Sequence, residues 1–111
     1  MGEKNAAKKY MDYMMDQTVK VLGIDSPTGY TKEAVAYLCE EYRRLGYDPM
    51  VTVKGGVLVD LGGEDAEDGI LLEAHVDTLG GMVATVKGDG RLKLTGLGGL
   101  NPNNAEAENC H

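Results

Sequence analysis

ILLEAHVD, residues 70–77, is the segment from which the architecture of this chain is predicted. It begins as a nearly continuous apolar run, which is typical of a central strand covered on both faces of a sheet. The run then ends in two polar side chains, His75 and Asp77. Alternate residues of a strand face the same way, so this pair should project together from its carboxyl end, where open α/β sheets bind ligands. The segment predicts a central strand over residues 70–76 with a site at its end.

The spacing of His75 and Asp77 supports two interpretations. In the first, the imidazole binds zinc or cobalt, and the carboxylate holds the other ring nitrogen and so fixes the tautomer. In the second, His75 is a hydrogen-bonded core histidine and Asp77 caps a helix or a turn. The H-x-D pattern is too short to choose between them.

Two amphipathic helices are predicted before that strand. Apolar residues recur every three or four positions over residues 4–22, and the pattern stops at Gly23. A second stripe starts after Thr31, a candidate N-cap, and closes at Gly46. Cys39 falls on this stripe and is interpreted as a small core thiol. We expect the two helices to share one apolar layer.

The apolar period changes to two after the second helix. Residues 50–61 and residues 81–95 each alternate around a glycine-rich turn, and each is predicted to form a β-hairpin. The acidic stretch at residues 62–69 lacks the ligand spacing of a calcium loop, so a solvated turn is predicted there. The fold class that follows is α/β, with two helices packed on a mixed β-sheet.

Composition and charge argue against several classes of function. The chain has 111 residues, of which 42% are hydrophobic, and it suits one small globular domain. Its formal charge of −7 repels phosphate backbones and anionic lipid. No apolar run approaches the roughly 18 residues of a membrane span, and the amino terminus lacks the apolar segment of a signal peptide. We predict a cytoplasmic protein with neither nucleic acid nor membrane as a partner.

Four segments of the chain stand out together: SPTGYTKEAV (26–35), LGYDP (45–49), AHVDTLGGMV (74–83) and KGDGRLKLTGLGGLNPNNAEAEN (87–109). In order and spacing they resemble the amino-terminal part of the tetrahedral or glutamyl aminopeptidase family. Its members are dinuclear-metal exopeptidases, some of them once mislabelled as endoglucanases, with a phosphorylase/hydrolase-like catalytic domain. The resemblance implies peptide substrates and two divalent metal ions, zinc or cobalt, in the full-length enzyme.

The resemblance also implies roles for single residues and a division into domains. The His of the family's AHxD segment binds one of the two ions, which gives His75 the role of metal ligand and Asp77 that of the catalytic residue beside it. The family inserts a β-rich domain after this strand and uses it to form dimers and larger shells. Residues 1–80 would then begin the catalytic domain, residues 81–111 would begin the inserted domain, and a homo-oligomer is expected.

The chain departs from the family in being much shorter. The remaining metal ligands and the glutamate general base lie further along in family members, so no residue here inherits those roles. A catalytic zinc normally takes three protein ligands and a water, whereas this chain has only two histidines, His75 and His111. We expect an incomplete site, and an inactive segment of a metal-dependent aminopeptidase.

Two other functions also fit these residues. A truncated module could act without catalysis, by binding itself or a full-length relative through the exposed edges of its hairpins. A single-metal binding protein is the third interpretation, with the tail folding back so that Cys110 and His111 join His75 and Asp77. The number of metal ions bound per chain would separate these interpretations.

Overall fold

Helices occupy the first part of the chain and hairpins the second. The structure, a computed structural model, describes residues 2–65 and 67–111, with side chains from residue 8 onward. The elements mix helix and strand, as predicted. They are α1 (Gly2–Leu22), α2 (Lys32–Arg44), β1 (Met50–Val51), β2 (Val57–Leu58), β3 (Gly80–Val86), β4 (Leu92–Leu97) and a 3-10 helix (Pro102–Ala105).

Both helices end where the sequence predicts. Gly23 follows α1, and α2 gives way to Gly46, whose φ of 93° is the left-handed conformation that glycine adopts after a helix. Thr31 directly precedes α2, but its side chain makes no capping hydrogen bond. Cys39 is buried, which confirms its interpretation as a core thiol.

The expected apolar layer between the two helices is wrong. Polar side chains join them instead: the hydroxyl of Tyr37 donates a 2.8 Å hydrogen bond to Gln17, and that of Tyr13 donates a 2.7 Å bond to Glu41. The stripe of α1 that turns inward therefore carries Tyr13 and Gln17, one helical turn apart. The methionines of α1 lie beside this stripe and stay exposed: Met11, Met14 and Met15. The hydrogen bonds to α2 give α1 a different rotation from the one that the apolar pattern predicts.

Glu41 is the charged centre of the helix contact. Its carboxylate accepts hydrogen bonds from Arg44 on the same helix and from Tyr13 on α1. The bonds from Arg44, with that from Tyr13, lower the pKa of Glu41 to about 2. Burial, with the negative charge of Glu41 beside it, raises the pKa of the Tyr13 hydroxyl. The contact between the helices is therefore sensitive to acid.

We expect acid to weaken this contact within a defined range. A carboxyl group whose pKa is lower in the folded chain stabilises the fold above its unfolded pKa of about 4.3, and the contribution is lost as pH falls. For Glu41 the loss should continue down to its folded pKa of about 2. Glu41→Gln removes the charge at every pH but keeps an acceptor for Tyr13. Urea denaturation should show the native chain more stable than the variant at about pH 6, with most of that difference lost near pH 2. A difference that does not change with pH would contradict this.

Both predicted hairpins are present. β1 pairs with β2 and β3 pairs with β4, in each case antiparallel. A bulge lies between Val83 and Thr85, so that the cross-strand pairs Val83–Leu94 and Val86–Leu92 share one face of the second hairpin. The described residues of the acidic stretch 62–69 are exposed, as expected of a solvated turn.

Residues 70–76 do not form the predicted central strand. Among the described residues no strand pairs with them, and Ile70 is 90% exposed and Leu72 82% exposed. The predicted mixed sheet is wrong as well, because both sheets are two-stranded antiparallel hairpins. A central strand needs a neighbour on each edge. Here the described strands pair only within their own hairpins, and none of their outer edges pairs with the apolar run.

The chain does not close around one core, contrary to the prediction of a compact domain. Its accessible surface is 9827 Å², whereas a compact protein of this mass exposes about 6,000 Å². Its radius of gyration is 18.8 Å, against about 13 Å for a compact chain of this length. Many apolar side chains therefore have no partner within the described part of the chain. None of the described helices is long and apolar enough to cross a membrane.

Candidate functional site

His75 and Asp77 lie against each other, although residues 70–77 form no strand. Nδ1 of His75 is 3.0 Å from the backbone oxygen of Asp77 and 3.1 Å from its Oδ1. Both of these neighbours are hydrogen-bond acceptors, so Nδ1 carries a hydrogen, and in the neutral ring Nε2 is then the nitrogen with the lone pair. The side chain of His75 is 85% exposed. Within these 111 residues His75 is therefore not buried as a core histidine would be, and its ring is accessible to a ligand.

The carboxylate of Asp77 has a different partner on each oxygen. Oδ1 faces the ring of His75, while Oδ2 accepts a 2.8 Å hydrogen bond from the hydroxyl of Thr28. The bond from Thr28 is the largest cause that lowers the pKa of Asp77, and the contact with His75 adds to it. Asp77 therefore stays ionised and can hold the Nδ1 hydrogen of His75.

The segment Ser26–Pro27–Thr28, which we call the SPT clamp, holds the site in place. It forms an isolated parallel bridge with Thr78, in which the Thr78 amide donates to the Ser26 carbonyl at 2.8 Å and the Thr28 amide donates to the Thr78 carbonyl at 3.1 Å. The buried hydroxyl of Ser26 donates to the Val76 carbonyl at 2.8 Å. The backbone on both sides of Asp77 is thereby fixed.

Two glycines allow the SPT clamp to lie this close. A Cβ atom at Gly80 would be 2.7 Å from the Cβ of Pro27, which is nearer than carbon atoms can approach. At Gly98, whose φ is 63°, a Cβ atom would be 3.1 Å from the hydroxyl oxygen of Thr28 and 3.0 Å from Leu79. A side chain at either position would press on the clamp.

An open cleft of about 530 Å³ borders the His75–Asp77 pair. Apolar side chains form much of its wall, among them Val21 and Leu22 at the end of α1 and Leu79 before β3. Concave sites that combine apolar walls with a few polar groups are typical of small-ligand binding. The cleft places the accessible imidazole beside a space large enough for a ligand.

Among the described residues, the His75–Asp77 pair supplies one ligand of a metal site, the imidazole of His75. In the part of the chain that the structure describes, no three His, Cys, Asp or Glu side chains come together as a metal-binding group. The interpretation that Cys110 and His111 join His75 is therefore not supported; Cys110 is exposed, and the one hydrogen bond described for its thiol goes to Glu108 in its own tail. Imidazole with a carboxylate on its second nitrogen suits zinc or cobalt.

Thr28 is the site residue that sequence reasoning missed. It belongs to SPTGYTKEAV, one of the four segments that carry the family resemblance, and it lies between the two predicted helices, where no site residue is predicted. Its partner Asp77 lies 49 residues further along the chain. The resemblance of the loop itself was the available signal, because a loop placed by a rigid scaffold often carries function.

Comparison with known proteins gives the chain its family. YhfE of Bacillus subtilis, whose name marks it as a candidate aminopeptidase, is 38% identical over 96 residues, which are 86% of this chain and 28% of that protein. The glutamyl aminopeptidase of Lactococcus lactis is 30% identical over 90 residues, which are 80% of this chain and 25% of that enzyme. The chain thus spans only about a quarter of the length of these relatives.

The match to the family model includes the two residues His75 and Asp77. The sequence profile of the M42 glutamyl aminopeptidases matches residues 55–111, which contain His75, Asp77 and the second hairpin. This match covers more than half of the chain, and it agrees with the resemblance carried by AHVDTLG. The chain therefore belongs to the M42 glutamyl aminopeptidase family.

Proposed function

We propose that this chain is the amino-terminal segment of a metal-dependent aminopeptidase that removes amino-terminal residues from peptides. His75 is the residue that binds one of two divalent ions, through Nε2, and Asp77 orients it. The observation that carries the proposal is the contact of Nδ1 with Asp77, which leaves Nε2 with a lone pair on an exposed ring. Membership of the M42 family and the names of the aminopeptidase relatives support the reaction class.

The chemistry of these residues agrees with that role. Asp77 keeps the ring hydrogen on Nδ1, and its negative charge makes the opposite nitrogen a better donor. His75 would hold one such ion, and bound divalent ions would supply Lewis-acid chemistry toward a water and a peptide carbonyl. In this proposal the other metal ligands and the general base come from outside these 111 residues. The apolar wall of the cleft at Leu22 and Leu79 gives a peptide side chain a surface to contact.

The proposal extends to domains and assembly. Residues 1–80 contribute to the catalytic domain, and residues 81–111 begin an inserted β-rich domain through which the protein forms a homo-oligomer. β3 starts at Gly80, two residues after the backbone bridge at Thr78. The change from site to hairpin at this point supports the boundary, and the apolar face of the hairpin supports the assembly.

A zinc titration followed by NMR tests the metal role of His75. We expect the Cε1 hydrogen signal of His75 to shift with added zinc, and His75→Ala to abolish binding at the site. Asp77→Asn should weaken the affinity about tenfold, because the amide can still accept a hydrogen bond but carries no charge. His111, in the exposed tail, is the internal control. A zinc response that survives His75→Ala unchanged, or one confined to His111, would contradict the assignment.

A second candidate function is favoured by the exposed face of the second hairpin. Val83, Val86, Leu92 and Leu94 are each half or more exposed, which suits a non-enzymatic module that binds a full-length relative. Such a module would cosediment with a full-length M42 protein and would do so equally well after His75→Ala. Cosedimentation that depends on His75 would argue against this candidate.

A further inference from the structure

The carboxylate plane of Asp77 has to be set by its neighbours. The last torsion of an aspartate side chain is broad, so the residue itself does not fix the direction of its two oxygens. The orientation of Oδ1 decides whether the ring hydrogen of His75 meets the carboxylate or only the backbone oxygen, which is 3.0 Å away. A donor on Oδ2 would therefore control the contact on Oδ1.

We propose that Thr28 is a positioning residue, whose hydroxyl fixes the Asp77 carboxylate and through it the imidazole of His75. The inference rests on the proposed function of His75 as a metal ligand. The hydroxyl of Thr28 lies 2.8 Å from Oδ2 of Asp77 and 3.3 Å from the carbonyl oxygen of Thr78. It has one hydrogen to give. The carboxylate receives it, because that bond is shorter and its acceptor is charged.

The side chain of Thr28 is exposed, but its backbone is held in place. Its amide is bonded to the Thr78 carbonyl, and the neighbouring Ser26 is buried and bonded to the backbone of Val76. On its other side Gly98 leaves just enough room, since a Cβ atom there would lie 3.1 Å from the hydroxyl oxygen. Threonine is also branched at Cβ, which restricts its χ1 rotation. A side chain with few accessible rotamers loses little conformational entropy when its hydroxyl holds a partner in one orientation.

Variants at Thr28 separate the hydroxyl from the shape of the side chain. Thr28→Val keeps the branching and the volume but removes the donor, whereas Thr28→Ser keeps the donor. Thr18→Val is the matched control. It removes a hydroxyl that donates to the Met14 carbonyl within α1 and that makes none of the hydrogen bonds of the site. Circular dichroism should show that all three variants retain their helices.

The expected results combine a metal-free signal with a metal affinity. In the metal-free chain at about pH 8.5, where free imidazole is neutral, Thr28→Val should shift the nitrogen signal of His75 Nδ1, read through the carbon-bound ring hydrogens, because the charged acceptor of its hydrogen has turned away. In a zinc titration the same variant should bind zinc about tenfold more weakly. Tenfold is the lower end of the loss of metal affinity expected when a residue that holds a metal-binding histidine in place is mutated. Thr28→Ser and Thr18→Val should stay close to the native chain in both measurements.

The outcomes tell the inference and the proposed function apart. If His75→Ala abolishes zinc binding while Thr28→Val changes neither the imidazole signal nor the affinity, the positioning role is wrong and the metal role stands. If zinc binding survives His75→Ala, the metal role is wrong, and the metal-free signal alone decides about Thr28. Should Thr28→Val unfold, scalar couplings in the native chain decide: one fixed χ1 rotamer at Thr28 supports the inference, and averaged rotamers overturn it.

Discussion

The 111-residue chain, loaded with zinc or cobalt, is expected to show no aminopeptidase turnover. A catalytic zinc takes three protein ligands and keeps a position for water. The described residues bring together no such set around His75, whose carboxylate neighbour Asp77 is already engaged by Thr28 and by the imidazole. Without a carboxylate free to act as general base, nothing takes a proton from a bound water. Since enzymes accelerate their reactions at least about 10⁶-fold, the expected loss is of that order or larger.

A chromogenic glutamyl substrate makes this a sharp measurement. The Lactococcus lactis glutamyl aminopeptidase, which is 30% identical over the matched region, is the positive control under the same metal loading. His75→Ala in this chain is the matched negative control. Turnover by the native chain that disappears in His75→Ala would contradict the prediction, and would mean that residues outside the described cluster complete a site.

The sequence predicted the local elements well because their signals are local. The second helix begins after Thr31 and ends before Gly46, where a threonine and a glycine mark its ends in the sequence. The hairpin of β3 and β4 follows from alternation around a glycine-rich turn. The closeness of His75 and Asp77 also follows from two neighbouring positions, so this half of the site could be predicted.

The features that failed depend on partners distant in sequence. The apolar run at residues 70–76 has the composition of a central strand, but a strand forms only where another strand pairs with it. The inward face of α1 was also predicted wrongly. Its methionines have the spacing of a buried stripe, but the hydrogen bonds of Tyr13 and Tyr37 turn a different face of α1 toward α2. The bond from Thr28 to Asp77 crosses 49 positions, and no period in the sequence connects them.

We expect the chain to sediment at micromolar concentration as a dimer or a larger assembly. Its second hairpin carries one continuous apolar face, on which Val83 is 50% exposed, Val86 67%, Leu92 54% and Leu94 53%. An isolated two-stranded hairpin is marginally stable in water, so this face needs cover. In a solution of the purified chain, the cover available is the same face of a second copy, which gives a two-fold symmetric contact.

Leu94→Lys tests this contact at its centre. Burial of a leucine contributes about 2 kcal/mol, and a two-fold contact loses that twice, so the dissociation constant should rise about a thousandfold. Thr95→Lys is the matched control, because Thr95 is the next residue of β4 and its side chain lies on the opposite face of the hairpin. Sedimentation velocity should show Leu94→Lys as a monomer and Thr95→Lys as the native assembly. A native chain that is monomeric at micromolar concentration would contradict the prediction.

The same pair of variants distinguishes a face contact from pairing at the strand edges. The outer edges of β3 and β4 are unpaired among the described residues, and unpaired edges can add strands from another chain. Edge pairing uses backbone groups and leaves both faces of the hairpin free, so a lysine at Leu94 and a lysine at Thr95 should then weaken association by similar amounts. Burial of one face instead makes Leu94 far more sensitive than Thr95. The ratio of the two dissociation constants therefore identifies the surface: a value near one would reject the face contact, and a value of several hundred would require it.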